Sequence, residues 1–178
     1  MRWLAMLGLI ALSGCWMGTD FYRGVRPRAV IAAGEYLQHE PGGGTPRRVQ
    51  IELLRDGTTR IINRDDENND LIVAFFPLPR VPNTFVARMT RMEGQQLTGD
   101  RIAYGIIQRQ ANGEYRSLAP ICDETRDVAT AHRARVVHED PAFGFCVFSS
   151  RSRLESALRA LVPQLGQGRR LVPARGSP

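Results

Sequence analysis

The stretch Val49-Gln50-Ile51-Glu52-Leu53-Leu54-Arg55-Asp56-Gly57-Thr58-Thr59-Arg60-Ile61-Ile62 decides the fold. Val49, Ile51 and Leu53 alternate with polar neighbours, the period at which successive side chains of an extended chain fall on opposite faces. Asp56-Gly57 supplies a tight reversal, because glycine adopts positive φ at no steric cost. Thr59, Ile61 and Ile62 resume the extended pattern, so the stretch predicts a β-hairpin. The flanking sequence continues the theme. Leu71-Ile72-Val73-Ala74-Phe75-Phe76 is apolar on both faces and predicts a central or doubly covered strand, which Pro77, Pro79 and Pro82 end for want of an N–H. Phe85, Ala87 and Met89 alternate again. Ile102, Tyr104 and Ile106 then lead to Asn112-Gly113, a second hairpin signal that turns into Tyr115. Between the strands, residues Arg64 through Asp70 read as a polar loop. Gly34-Glu35-Tyr36 and Gly113-Glu114-Tyr115 echo one another, which shared turn chemistry or a duplicated β unit would both explain.

The last element reads as a helix. Leu154, Ala157, Leu158, Leu161 and Val162 recur at helical spacing, and Pro163 stops the run. Ser152 with Glu155 has the form of a capping box, in which each side chain satisfies a backbone N–H at the helix start. The expected fold is therefore α+β: an antiparallel β-rich meander, or a small sandwich or barrel, with one C-terminal amphipathic helix packed on it.

A chain of 178 residues accommodates one modest domain and a targeting segment. The content of 43% hydrophobic and 24% charged residues supports a packed core and argues against disorder. The formal charge of +6 comes from 24 basic residues, all of them arginine, which fits a GC-rich coding sequence. Arg169, Arg170 and Arg175 lie in a C-terminal stretch without acids, and the rest of the chain is close to neutral. A nucleic-acid binder concentrates its charge on one folded face, so nucleic acid is not an expected partner. The longest continuous apolar run stops at about ten residues, where a spanning helix needs about 20, and this excludes a helical channel.

That run lies at the N-terminus. Met1-Arg2 is a short positive start, Trp3 through Leu12 is apolar, and Leu12-Ser13-Gly14-Cys15 closes it. The segment resembles the lipobox of bacterial lipoproteins at all four positions. The resemblance implies a diacylglyceryl thioether on Cys15, cleavage between Gly14 and Cys15, and acylation of the new amino group, for instance by palmitate. Several buried acyl chains make escape from a membrane slow, whereas one alone binds only marginally. Residue 16 is Trp, not Asp, and by the sorting rule of some Gram-negative lipoproteins this implies the outer membrane, with the domain facing the periplasm. The domain plan is then a removed signal peptide (1–14), a lipidated N-terminus and tether (15–30), a globular β-rich domain with its helix (31–165), and a basic disordered tail (166–178).

With Cys15 acylated, Cys122 and Cys146 remain, and an oxidising compartment favours a disulfide between them. Zinc is the alternative, since His132 and His138 fall between the two cysteines, although no tight C-x₂₋₄-C knuckle is present. Asp65 to Asp70 places Asp66, Asn68 and Asp70 at alternating positions like an EF-hand loop. Leu71 and Pro77 then stand where that motif needs glycine and glutamate, so no metal or other cofactor is expected. No G-x-S-x-G, H-E-x-x-H, phosphate-binding loop or dinucleotide fingerprint occurs, and His138-Glu139-Asp140 is too extended to form a dyad by itself. The expected function is a non-enzymatic binding or structural role at the periplasmic face of the outer membrane. Its partners would be membrane lipid through Cys15 and an envelope protein or cell-wall component. The alternatives are an inhibitor of an exogenous hydrolase such as lysozyme, and a hydrolase with dispersed catalytic residues. Beyond the lipobox, the chain resembles small lipoproteins of GC-rich Gram-negative bacteria, a likeness that transfers no functional residue.

Overall fold

Period-two alternation sets the architecture. A computed structural model of the protein describes residues 15–64, 66–92, 95–97, 99, 101–140 and 143–174. The strands are β1 (Trp16–Gly18), β2 (Gly34–His39), β3 (Arg47–Leu53), β4 (Thr59–Asn63), β5 (Asp66–Pro77), β6 (Thr84–Met92), β7 (Gln95–Gln96), β8 (Ile102–Arg109) and β9 (Tyr115–Leu118). Helix α1 (Arg126–Ala131), strands β10 (Arg135–Asp140) and β11 (Phe143–Phe148), helix α2 (Arg151–Leu161), a 3₁₀ turn (Val162–Gln167) and β12 (Arg169–Pro173) complete the order.

Eight of these strands close on themselves in the order β8-β9-β12-β2-β3-β4-β5-β6, with β6 returning to β8, and every neighbouring pair is antiparallel. Closure removes the edges that an open sheet of this size would expose. The expected α+β fold is thus a barrel with helices against it. Both hairpins turn where expected, with Gly57 and Gly113 at positive φ.

Cross-strand registers put Tyr36, Val49, Ile51, Thr59, Val73, Phe75, Met89, Ile107, Tyr115 and Leu171 on one face, and all of them are buried. This face is the barrel interior. The opposite face of β2–β4 is polar and meets solvent, but on β5, β6 and β8 it carries Ala74, Phe76, Val86, Tyr104 and Ile106, again buried. A second layer therefore covers that side. It consists of residues 16–31 and α2, whose Leu154, Ala157, Leu158 and Leu161 are fully buried. The doubly apolar Leu71–Phe76 run is explained by this two-sided burial.

Strand β8 carries a branch. Its free edge pairs with β1 over Ile102–Tyr104 and with β9 from Ile106 onward. Gly105 stands at the split, where a Cβ would come within 2.7 Å of the Leu118 carbonyl oxygen. From β1 the sheet continues outward through β11, in parallel, to β10.

Four expectations are corrected. Residues 15–30 are not a free tether: Trp16–Gly18 is paired on both edges, and Tyr22 stacks on Phe76 with ring centroids 4.2 Å apart. Aromatic anchors with polar handles hold this segment in place of a periodic pattern. Tyr104 donates its hydroxyl to the Thr19 carbonyl at 2.6 Å and accepts from the Phe21 N–H at 3.1 Å, and Arg88 pairs with Asp20 at 2.6 Å. The 166–178 stretch is not wholly a tail either. Residues 169–173 are the strand that joins β2 to β9, Leu171 faces Tyr115 inside, and Arg169 and Arg170 pair with Glu40 and Glu114. The polar run before Leu71 is the start of β5 from Asp66 onward, because the partner strand β4 extends to Asn63. Finally, the capping box does not form. Helix α2 follows Ser150 without a side-chain cap, and Glu155 is turned inward; a second, short helix, α1, accompanies it.

Candidate functional site

Chemistry-bearing residues gather in three places, and the first is the start of β1. Cys15 is buried and forms an isolated antiparallel bridge with Ile121. Trp16, fully buried, donates its indole N–H to Thr125 Oγ1 at 2.8 Å and packs against Phe148 at 5.0 Å between centroids. Thr125 in turn donates to the Ile121 carbonyl at 2.6 Å, so its hydroxyl does not cap α1. The expected signal residues Leu12, Ser13 and Gly14 lie outside the described residues.

Cys122 and Cys146 form a disulfide beside this knot, with Cα atoms 5.2 Å apart and both residues fully buried. Bonded sulfurs are not thiolates, so the alternative zinc set with His132 and His138 is overturned. His132 follows the last turn of α1, and His138 on β10 lies over Gly144, where a Cβ would sit 3.0 Å from its ring and 3.3 Å from Asp123 Oδ1. Asp123, 15 residues away in sequence, thus brings a carboxylate near His138. A hydrogen bond from Arg126 leads the effects that hold the Asp123 carboxyl below its ordinary value, and His138 adds to them weakly. His138 and Asp123 are both exposed, which gives the arrangement little of the desolvation that general acid–base work exploits.

The second place is the polar outer wall. Asp70 is 2% exposed, and two guanidiniums flank it. Arg60 Nε donates to Oδ2 at 2.9 Å. Arg91 Nε approaches Oδ1 to 3.0 Å, close enough for charge pairing but off the line of a hydrogen bond. Arg60 also reaches Glu52 at 3.8 Å, and Arg64 contacts Gln50 at 3.2 Å and Glu35 at 3.4 Å. Gln50, Glu52, Arg60, Ile62 and Arg64 line a shallow depression of about 360 Å³ on β3 and β4. Its charges are largely matched internally, so it offers a surface of alternating donors and acceptors more than an anion trap.

The third is buried under α2. Glu155 accepts from the Tyr22 hydroxyl at 2.9 Å and from Arg151 Nε at 2.7 Å, and the Arg151 guanidinium lies 4.3 Å over the Tyr22 ring. Burial, reinforced by the Glu155 charge, pushes the Tyr22 phenol far above its ordinary value. Burial likewise pushes Tyr104 up to about 12. Both phenols therefore stay protonated and act as hydrogen-bonding struts that fix residues 19–22 to the barrel. Sequence reasoning missed the last two clusters. Asp70 directly before an apolar run was the one available signal for the former; nothing local pointed to Tyr22 and Glu155, which are 133 residues apart.

Among the described residues, no group of three or more His, Cys, Asp or Glu side chains is arranged to hold a metal ion, and no helix is long and apolar enough to cross a membrane. No family model matches this chain, and neither a curated protein nor a solved structure is significantly similar to it.

Proposed function

We propose that this chain is a lipid-anchored envelope lipoprotein, moored through acylated Cys15 at the periplasmic face of the outer membrane, with a binding or bracing role that involves no catalysis. The observation that carries the reading is the buried Cys122–Cys146 disulfide. Such bonds persist in oxidising compartments and are rare in the cytosol, so the bridge and the lipobox-like N-terminus argue independently for export. The architecture supports a role exerted through the surface: the barrel interior is lined by side chains such as Tyr36, Ile51, Val73 and Phe75 that pack on one another. The mixed-charge wall of Arg60, Glu52, Gln50 and Arg64 is the surface best suited to a polar envelope partner.

Crosslinking in the native host tests this. The wild-type protein is expected in the membrane fraction, crosslinked to an envelope protein or to cell wall, and Cys15→Ala is expected to shift it to the soluble periplasm. Recovery of wild type and Cys15→Ala alike in the cytoplasm would refute the proposal.

A further inference from the structure

One end of the barrel gathers guanidinium groups that no described carboxylate answers. Hairpins β3–β4, β5–β6 and β8–β9 close with Leu53 opposite Thr59, Pro77 opposite Phe85 and Arg109 opposite Tyr115. Thr59 pairs onward with Val73, and Thr84 with Gln108, so all three turns emerge at the same end. Residues 27–32 cross this mouth. The Arg28 N–H donates to the Phe75 carbonyl at 2.9 Å, and Pro27 lies 3.3 Å from the position a Cβ on Gly57 would take. From inside, Tyr115 and Tyr36 donate their hydroxyls to the Val30 and Ala32 carbonyls at 3.1 Å. The Arg109 N–H donates to the Asn83 carbonyl at 2.9 Å, which ties two of the turns together.

Each of these segments carries an exposed arginine: Arg28 on the crossing segment, Arg55 and Arg80 in the first two turns, and Arg109 at the start of the third. Among the described residues, no carboxylate lies within ion-pair distance of any of the four. Asp56 and Glu114, the acids of these turns, are engaged elsewhere. Asp56 accepts from the Thr58 N–H and hydroxyl within its own turn, and Glu114 pairs with Arg170 at 3.5 Å. On the barrel walls, by contrast, Arg60, Arg64, Arg88 and Arg91 all have carboxylate partners. Neighbouring hairpins lie two strands apart, about 10 Å, close to a Debye length at physiological salt. The four charges therefore repel one another, and an anionic group docked among them relieves that repulsion.

Apolar groups sit within the same end. Leu53 keeps the interior parity of Val49 and Ile51 but, at the last position of β3, is 43% exposed. Val25, two residues before Pro27, is 44% exposed. A guanidinium fork pairs with a carboxylate through two parallel hydrogen bonds, and arginine beside apolar side chains is the composition of a protein-binding surface. A bare phosphate polymer would match the charge and leave Leu53 and Val25 uncovered.

We propose that the barrel mouth bearing Arg28, Arg55, Arg80 and Arg109 docks a protein partner through a segment that carries carboxylates beside an apolar side chain. This surface is separate from the wall of Arg60 and Arg64, whose charges are matched internally, and it needs no acyl group on Cys15.

The test uses the protein isolated from its host in neutral detergent, at physiological salt. Fluorescence anisotropy follows a short labelled peptide of glutamates with interspersed leucines. The peptide is expected to bind, and Arg55→Glu with Arg109→Glu to weaken it about tenfold through loss of two exposed charge contacts. Arg28→Glu replaces either substitution should that variant fail to fold. Arg48→Glu with Arg135→Glu changes the net charge equally, at the other end of β3 and on the outermost strand β10, and is expected to alter affinity less than about twofold. Leu53→Ser is expected to weaken this peptide and to leave binding of a leucine-free glutamate peptide unchanged. Equal weakening by both double variants, or no binding up to about 1 mM peptide, would overturn the mouth as a docking surface. Tighter binding of inorganic polyphosphate, or a Leu53→Ser variant without effect, would overturn a protein partner in favour of a phosphate polymer.

Discussion

Opening the Cys122–Cys146 bridge has a cost that can be worked from the fold. The two residues are 24 positions apart, and the loop they close contains α1, β10 and the start of β11. Chain-entropy reasoning for a loop of about 25 residues gives a loss of about 3.5 kcal/mol when the crosslink is removed, because the unfolded chain regains that freedom. In a domain of this size each kcal/mol moves the midpoint by about 2–4 °C, so the expected fall in Tm is about 7–14 °C. Two samples separate the crosslink from the packing of its sulfurs. Wild type denatured with reductant present reports loss of the bond alone. Cys122→Ala with Cys146→Ala also removes two sulfurs from fully buried sites and should fall somewhat further. Urea titration should show a larger m-value for both, since a chain without the crosslink expands more on unfolding. Hydrogen exchange should quicken first in α1 and β10, which the bridge ties to β1, and last in the barrel strands. A midpoint shift below about 2 °C with an unchanged m-value would refute the reasoning and remove the main support for an exported protein.

The corrected elements yield further expectations. Trp16→Ala should cost about 3–5 kcal/mol in urea unfolding, because it empties a fully buried site; a free tether would show almost no change. Leu171→Asp places an unpaired carboxylate among barrel residues and should cost about 3–5 kcal/mol, whereas a solvated tail would tolerate it within about 0.5 kcal/mol. Glu40 supplies a pH dependence. Burial acts to raise its carboxyl, but Arg169, helped by Gln38 and Arg47, outweighs this and holds it below the ordinary 4.5. A depressed carboxyl contributes stability that is present above the ordinary value and is lost as pH falls through the folded one. Glu40→Gln should therefore lower the Tm at neutral pH and flatten its decline below pH 4.5, as differential scanning calorimetry would record.

Local signals carried a good part of the fold. Alternation at Val49–Leu53 and the turn residues Asp56-Gly57 and Asn112-Gly113 specify hairpins within a dozen residues, where chain geometry alone determines the outcome. The apolar face of α2 was equally plain, since its period is local. What escaped depends on distant partners. Strand β1 has three residues and β12 five, too short for periodicity to register, and each exists because two other strands flank it. Glu155 suits a capping box by spacing, yet the Tyr22 hydroxyl and Arg151 offer it two charge-assisted hydrogen bonds in a buried setting, a stronger claim than one backbone N–H. At the candidate site, the cysteine pairing was readable from their number, but the bridge from Cys15 to Ile121 and the bond from Trp16 to Thr125 could not be seen before the strand pairing was known.

Attachment of fatty chains to Cys15 is the claim on which the rest turns, and intact-mass spectrometry of the protein isolated from its native host measures it most directly. The account predicts a chain that begins at Cys15 and carries diacylglyceryl and amide-linked acyl mass on that residue. A chain that retains residues 1–14, with Cys15 unmodified, would contradict it.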